Sequence, residues 1–135
     1  MEAIINRNQA AEYLNLPKYE IKNFYKYIND TWSYQNINLF WHLFKYTDNK
    51  YVELTKNVKA IRVKYYKHGD WEYKDLNGHY HLFREKNNNY IELTKNVNAN
   101  SIWSYPNGNW EYKDENNYFN VFNKNNELIK KYKSS

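Results

Sequence analysis

The residues with the greatest capacity for chemistry are four histidines and a set of regularly spaced carboxylates. His79 and His81 are two positions apart, a spacing that can hold a metal ion, but no third ligand has an obvious register. The carboxylates recur every 39 residues: Glu53 and Glu92, Glu72 and Glu111, Asp75 and Asp114. A catalytic pair is normally unique in a chain. Copied carboxylates are therefore better interpreted as cross-strand partners of lysines, here Lys56, Lys74, Lys95 and Lys113.

Other catalytic and cofactor-binding motifs are absent from the sequence. There is no cysteine, which excludes a disulfide framework and a thiolate zinc site. No Ser/His/Asp grouping or phosphate-binding motif is recognisable, and three glycines are too few for a loop that wraps phosphate. We therefore predict a protein that is not an enzyme, with no catalytic residue, no metal and no cofactor.

A repeat of 39 residues organises most of the chain. Residues 90–97 (YIELTKNV) repeat residues 51–58 (YVELTKNV), and WEYKD occurs at both 71–75 and 110–114. The same offset aligns Trp41 with Tyr80 and Phe119. A fixed period of this length indicates one supersecondary unit used several times.

The repeated unit has the period of β-strands. Residues 71–74 alternate aromatic and charged side chains, which predicts a half-buried strand, and Asn-Gly at 77–78 and 107–108 predicts turns. In the second copy we predict strands at 71–74, 80–84, 90–95 and 102–105. Short loops imply antiparallel neighbours. The chain then has eleven strands in an antiparallel β meander, either an open sheet or a barrel.

Residues 1–30 have a different pattern. Asn6 and Gln9 have the spacing of a capping box before a short helix at 9–14, and Asn15 suits the left-handed turn that follows. From 18 to 28, apolar residues recur at the spacing of an amphipathic helix: Ile21, Phe24, Tyr25 and Ile28. The predicted fold class is α+β, with a helix-turn-helix in residues 1–30. A β-repeat domain of about 2.7 units follows in 31–135.

Residues 8–21 resemble the helix-turn-helix of excisionase-type and related phage DNA-binding proteins. The matching positions are Ala10, Ala11, Leu14, Asn15 and Ile21, although Asn15 stands where glycine is usual. The resemblance implies that the second helix binds duplex DNA through Lys18, Tyr19, Lys22, Asn23 and Lys26. Residues near its start would contact base edges, and Lys26 a phosphate. The alternative is a helical hairpin with a solvated polar face, which agrees with the equal numbers of acidic and basic residues in 1–30.

Composition limits the class of protein. The chain has 135 residues, 20% of them aromatic, so a packed core is feasible despite a mean hydropathy of −1.11. The net charge of +5 is compatible with nucleic acid or an acidic partner and demands neither. No apolar stretch approaches membrane-spanning length. We expect a soluble, cytoplasmic protein without membrane association, and the oligomeric state stays open.

Three functions agree with these features. The first is a small phage or mobile-element protein whose helix-turn-helix binds DNA for regulation and whose β repeats bind a protein partner. This organisation resembles that of phage-encoded inhibitors of bacterial defence, so the partner could be a defence nuclease, acidic or bound to nucleic acid. The second is a protein-binding module that does not bind DNA. The third is a carbohydrate-binding repeat protein that uses Trp32, Trp71 and Trp110 as stacking platforms.

Overall fold

The computed structural model describes residues 3–134, which form one α-helix, one 3₁₀ helix and twelve strands. Their bounds are α1 (Arg7–Leu14), the 3₁₀ helix (Lys18–Glu20), β1 (Ile21–Lys26), β2 (Trp32–Asn36), β3 (Trp41–Thr47), β4 (Lys50–Glu53), β5 (Arg62–Tyr65), β6 (Trp71–Lys74), β7 (Tyr80–Lys86), β8 (Asn89–Glu92), β9 (Ser101–Ser104), β10 (Trp110–Lys113), β11 (Tyr118–Phe122) and β12 (Leu128–Lys133). The chain divides into two compact units between Val63 and Lys64. The predicted boundary between residues 30 and 31 lies inside the first unit.

The strands form three antiparallel sheets of four strands, each in chain order. We call them sheet A (β1–β4), sheet B (β5–β8) and sheet C (β9–β12). The predicted antiparallel β meander is confirmed, but it forms three sheets instead of one sheet or barrel. Residues 54–57 and 93–96 are turns, where Thr55 and Thr94 each accept a hydrogen bond from a β-strand amide at 3.0 Å. These side chains replace strand pairing, so β8 ends at Glu92 and not at residue 95.

The predicted helix-turn-helix is wrong. Residues 18–20 form a 3₁₀ helix, and residues 21–26 form an edge strand that pairs with β2. The apolar residues that suggested a helix do not share a buried side, because Ile21 is fully buried whereas Tyr25 is 56% exposed. Segments rich in aromatic and β-branched residues also suit strands. Here the pairing with β2 decides between the two.

Helix α1 confirms the predicted Asn6 cap and the end at Leu14, although it begins at Arg7 and not at residue 9. The Asn6 side chain accepts a hydrogen bond from the Gln9 amide at 2.9 Å, and the Gln9 side chain accepts one from the Ile5 amide at 2.7 Å. Asn15 ends the helix in the left-handed conformation, with φ 55° and ψ 46°. Ala10 and Ala11 are buried in the core cluster of sheet A. The helix therefore covers one face of that sheet.

A tryptophan stacked on a phenylalanine of the next strand lies at the centre of every sheet. The ring centroids are 4.4–4.5 Å apart in all three pairs: Trp32 with Phe44, Trp71 with Phe83, and Trp110 with Phe122. These tryptophans are at most 3% exposed. The interpretation that the recurring aromatic residues serve packing is confirmed for them, and they cannot be carbohydrate-stacking platforms.

Sheets B and C pack face to face within the second unit. Leu82 of sheet B is fully buried and belongs to one cluster with Trp110 of sheet C. The opposite side of sheet C is what we call the open face. From the strand registers, in which directly opposed residues share a side, it consists of Trp103, Glu111, Lys113, Phe119, Val121, Lys130 and Tyr132.

Side-chain-capped turns join successive strands. Asp75 accepts hydrogen bonds from the amides of residues 77 and 79, and Asn36 and Asp114 make the same pair of bonds in their turns. Each turn then requires a residue with positive φ. Gly78 and Asn117 suit this conformation, whereas Leu39, with φ 70°, does not.

Packing between sheets predicts unequal effects of two matched substitutions in the second unit. Leu82→Ala is expected to lower the free energy of unfolding by about 2–5 kcal/mol, because it empties a fully buried site. Val121→Ala, at the corresponding position of the open face, is expected to cost about 1 kcal/mol or less. Urea denaturation at low micromolar protein concentration measures both. Equal losses would show that Val121 is as buried as Leu82.

The turn at Leu39 predicts a stabilising substitution. Leu39→Asn is expected to raise the free energy of unfolding by about 1 kcal/mol, since asparagine tolerates positive φ better than leucine does. Ile37→Asn is the matched control in the same turn, because both side chains are 51% exposed and Ile37 has no positive φ. A thermal melt that shows no gain for Leu39→Asn over the control would contradict the assignment of strain.

Candidate functional site

The five predicted DNA-binding residues do not form one helical face. Lys18 and Tyr19 lie in the 3₁₀ helix, and Tyr19 is 72% exposed. Lys22, Asn23 and Lys26 lie in edge strand β1. Successive side chains of a strand point to opposite sides, so the recognition-helix arrangement that the resemblance implied is absent.

Two of these side chains already have partners within the first unit. The Lys26 ammonium donates to the Ile4 carbonyl at 3.0 Å and forms an ion pair with Asp30 at 3.2 Å. The Asn23 amide nitrogen donates to the side-chain oxygen of Gln35 at 2.6 Å. Both side chains therefore hold the edge strand in place.

A polar network beside each tryptophan–phenylalanine pair is the first candidate for chemistry. In sheet A, His42 Nδ1 lies 2.7 Å from Glu53, and Thr55 donates to the same carboxylate oxygen at 2.9 Å. In sheet B, His81 Nδ1 lies 2.8 Å from Glu92, to which Thr94 donates in the same way. The direct hydrogen-bond partners of these carboxylates are thus histidine and threonine instead of the predicted lysines, although the charge of Lys56 acts on Glu53.

The two histidines differ in their second nitrogen. His42 Nε2 faces the side-chain nitrogen of Asn36 at 3.0 Å, so it accepts a hydrogen bond from that amide. His81 Nε2 faces Asp75 at 2.8 Å, so both of its nitrogens donate to carboxylates and the ring is an imidazolium. Sheet C has Asn120 instead, which donates to Asp114 at 3.1 Å. With both nitrogens engaged, His81 has no lone pair for the metal that its spacing from His79 suggested.

These contacts shift the pKa values in sheet B. Burial opposes the charge of His81, but hydrogen bonds to Asp75 and Glu92 outweigh it and raise the pKa of His81 above 6.5. Burial likewise opposes the charge of Asp75. Hydrogen bonds from His81 and from the amides of residues 79 and 77 nevertheless lower the pKa of Asp75 below 3.8. The charged pair is thus favoured over a wider range of pH than the ordinary pKa values of the two groups would give.

A Ser/His/Asp grouping exists in the second unit, although no sequence motif indicates it. Ser104 Oγ donates to Asp70 at 2.6 Å and lies 2.7 Å from His68 Nε2. Because the hydroxyl proton is given to the aspartate, His68 Nε2 must donate to Ser104. A nucleophilic serine needs the reverse, a histidine that accepts the hydroxyl proton.

The same grouping serves the packing of sheet B against sheet C. Asp70 is 3% exposed, and Arg84 binds it through Nε and Nη2 while donating from Nη1 to the Gly108 carbonyl at 2.9 Å. Ser104 is 1% exposed, so a substrate cannot reach its hydroxyl group. These bonds join β7 and the β5–β6 loop to β9 and the β9–β10 loop. We interpret the cluster as a buried structural network.

The open face of sheet C is the second candidate site, and its aromatic side chains are accessible. Trp103 is 45% exposed and Tyr132 is 39% exposed, and Tyr132 stacks on Phe119 with ring centroids 5.2 Å apart. The Lys64 ammonium lies 3.8 Å from the centroid of the Trp103 ring. Beside this surface, the hydroxyl of Tyr105 donates to Glu111 at 2.5 Å, and that bond raises the pKa of Tyr105 to about 12.

The last strand gives the open face a basic edge. All six residues of β12 are exposed, and three of them are lysines. Lys130 lies 4.9 Å from the Tyr132 ring centroid, and Lys131 and Lys133 lie near Tyr118. Lysines are common on exposed edge strands, where they discourage further strand pairing. A partner of sheet C is therefore expected to bind its open face and not its edge strand.

Comparison with known proteins identifies no relative. No protein-family model matches the chain, and no curated protein sequence matches it significantly.

Among residues 3–134, no helix has the length and apolar character needed to cross a bilayer.

The two histidine networks predict a dependence of stability on pH that one substitution removes. Protonated His81 stabilises the fold because its pKa is raised, so this contribution is complete below pH 6.5 and lost as the pH rises through the folded-state pKa. His81→Asn is expected to flatten that decline, since Asn120 already bonds Asp114 in the same way. His42→Asn is expected to keep the decline, because His42 Nε2 faces the Asn36 amide and not a second carboxylate. Urea denaturation between pH 5.5 and 9 measures the slopes.

On the acid side of the same pH profile, the free energy of unfolding is expected to fall as the pH decreases. Asp75 has a lowered pKa, so its contribution is present above pH 3.8 and is lost as the pH falls through the folded-state pKa.

For the two histidine variants, one result would contradict the assigned contacts of His81: a decline of stability above pH 6.5 that His42→Asn abolishes and His81→Asn leaves intact.

Proposed function

We propose that this protein is a non-enzymatic binding module that recognises a protein partner through the open face of sheet C. One observation carries the proposal. The centre of the corresponding side of sheet B is buried by packing, with Leu82 fully enclosed, whereas the open face leaves Trp103 and Tyr132 accessible. Tryptophan and tyrosine are the residues that most often dominate the energy of protein interfaces.

The composition of the surface supports a protein partner over nucleic acid. Glu111 lies within the open face among the aromatic residues Trp103 and Tyr132, which are 45% and 39% exposed. A nucleic-acid surface is usually more uniformly basic. Exposed apolar residues beside a polar rim are instead typical of protein interfaces.

The proposal keeps part of the hypotheses drawn from sequence. We do not propose that a recognition helix binds duplex DNA, because residues 21–26 form a strand. Binding of a protein, including inhibition of a nuclease as one use of such a surface, is retained. We also propose that the three sheets are copies of one 39-residue unit, as supported by the matching tryptophan–phenylalanine stacks and by the equal Thr55 and Thr94 bonds.

Site-specific photo-cross-linking tests the proposal in cells that naturally express the chain. A benzophenone amino acid replaces Tyr132 on the open face, and Tyr19 in the first unit is the matched control with 72% exposure. Position 132 is expected to form a discrete protein adduct that position 19 does not form. Adding Trp103→Ala should reduce that adduct about tenfold, because loss of an interface anchor costs more than about 1.4 kcal/mol. Equal adducts from both positions, or adducts with nucleic acid alone, would overturn the proposal.

A further inference from the structure

We propose that the partner covering the open face is a second copy of this chain, which presents its own open face across a two-fold axis. The inference rests on the proposed function and names its partner. In the packing of sheets B and C, the Leu82 side of sheet B buries the tryptophan-bearing side of sheet C. The open face occupies the corresponding position on sheet C, and no further sheet follows it in residues 3–134.

The second copy cannot continue this packing in a head-to-tail manner. Continuation needs a free tryptophan-bearing side. In sheet A that side is covered by α1, whose Ala10 and Ala11 lie in one cluster with Trp32. In sheet C it is covered by Leu82 of sheet B, and Trp71 of sheet B is itself only 3% exposed. A second copy therefore offers its own open face, and such an isologous contact closes as a dimer.

The charges of the open face are complementary under a two-fold axis. Glu111 and Lys113 lie on the same side of β10, two residues and about 6.8 Å apart. A two-fold axis that passes beside Tyr112 places Glu111 of one copy opposite Lys113 of the other. The symmetry generates two such ion pairs. The aromatic rings of Trp103 and Tyr132 then lie around this central pair of ion pairs.

The size of the face predicts a weak dimer. Four strands of up to six residues span about 20 Å by about 19 Å. That is less than the roughly 800 Å² per partner of a standard stable interface. Association is thus expected in the range of tens to hundreds of micromolar, so it must be sought at high protein concentration.

Sedimentation velocity of the full chain between about 5 and 500 µM tests the inference. The wild-type chain is expected to shift from monomer to dimer across this range. Lys113→Glu should weaken association about tenfold, because it places carboxylates opposite each other. The double variant Glu111→Lys with Lys113→Glu should restore association, since it exchanges the charges. Lys50→Glu, at an exposed position in the first unit, is the control and should have no effect. Circular dichroism checks that each variant is folded.

The outcomes separate the inference from the proposed function. A chain that stays monomeric at 500 µM, or a dimer that Lys113→Glu does not weaken, overturns the inference. Failure of the exchanged double variant to recover association also overturns it. If the chain is monomeric while position 132 cross-links a different protein, the proposed function stands and only the second copy is rejected.

Discussion

Stacking of a tryptophan on a phenylalanine across two adjacent strands is the interaction on which each sheet depends. The three pairs have nearly parallel rings, with interplanar angles of 16°, 8° and 11°. Because a shift of one strand by one residue would turn its ring to the other side of the sheet and break the stack, the stack also fixes the register of the two central strands. Large rings bury much surface per residue, which explains how a chain with a mean hydropathy of −1.11 forms a packed core.

The polar groups around these stacks show how one framework accommodates different charges. Tyr34 stacks on His42 and Tyr73 on His81, with centroids 4.9 and 4.5 Å apart. Asn36 at the second nitrogen of His42 and Asp75 at that of His81 give the two rings a neutral and an anionic partner in the same arrangement. Asn120 then satisfies the same need in sheet C with no ionisable group. Polar residues near the core therefore follow from hydrogen-bond satisfaction.

Predictions from local sequence succeeded where local physics decides the outcome. The Asn6 and Gln9 cap, the left-handed Asn15 and the strand at 71–74 each depend on residues close in sequence. The second helix failed because residues 21–26 fit either period, and only pairing with β2 selects the strand. The cluster of Asp70, Arg84 and Ser104 joins positions up to 34 residues apart, so no local motif could indicate it.

The amino-acid sequence by itself determined the strand period, the turns and the aromatic residues that fill each sheet, because these follow from side-chain alternation and backbone preference. Only the tertiary structure decided which sides of the sheets are covered. Leu82 and Val121 occupy corresponding positions of a repeated pattern, yet one is fully buried and the other is not. The physical reason is that burial depends on what packs against a sheet, and sheet C is the last one in the described chain.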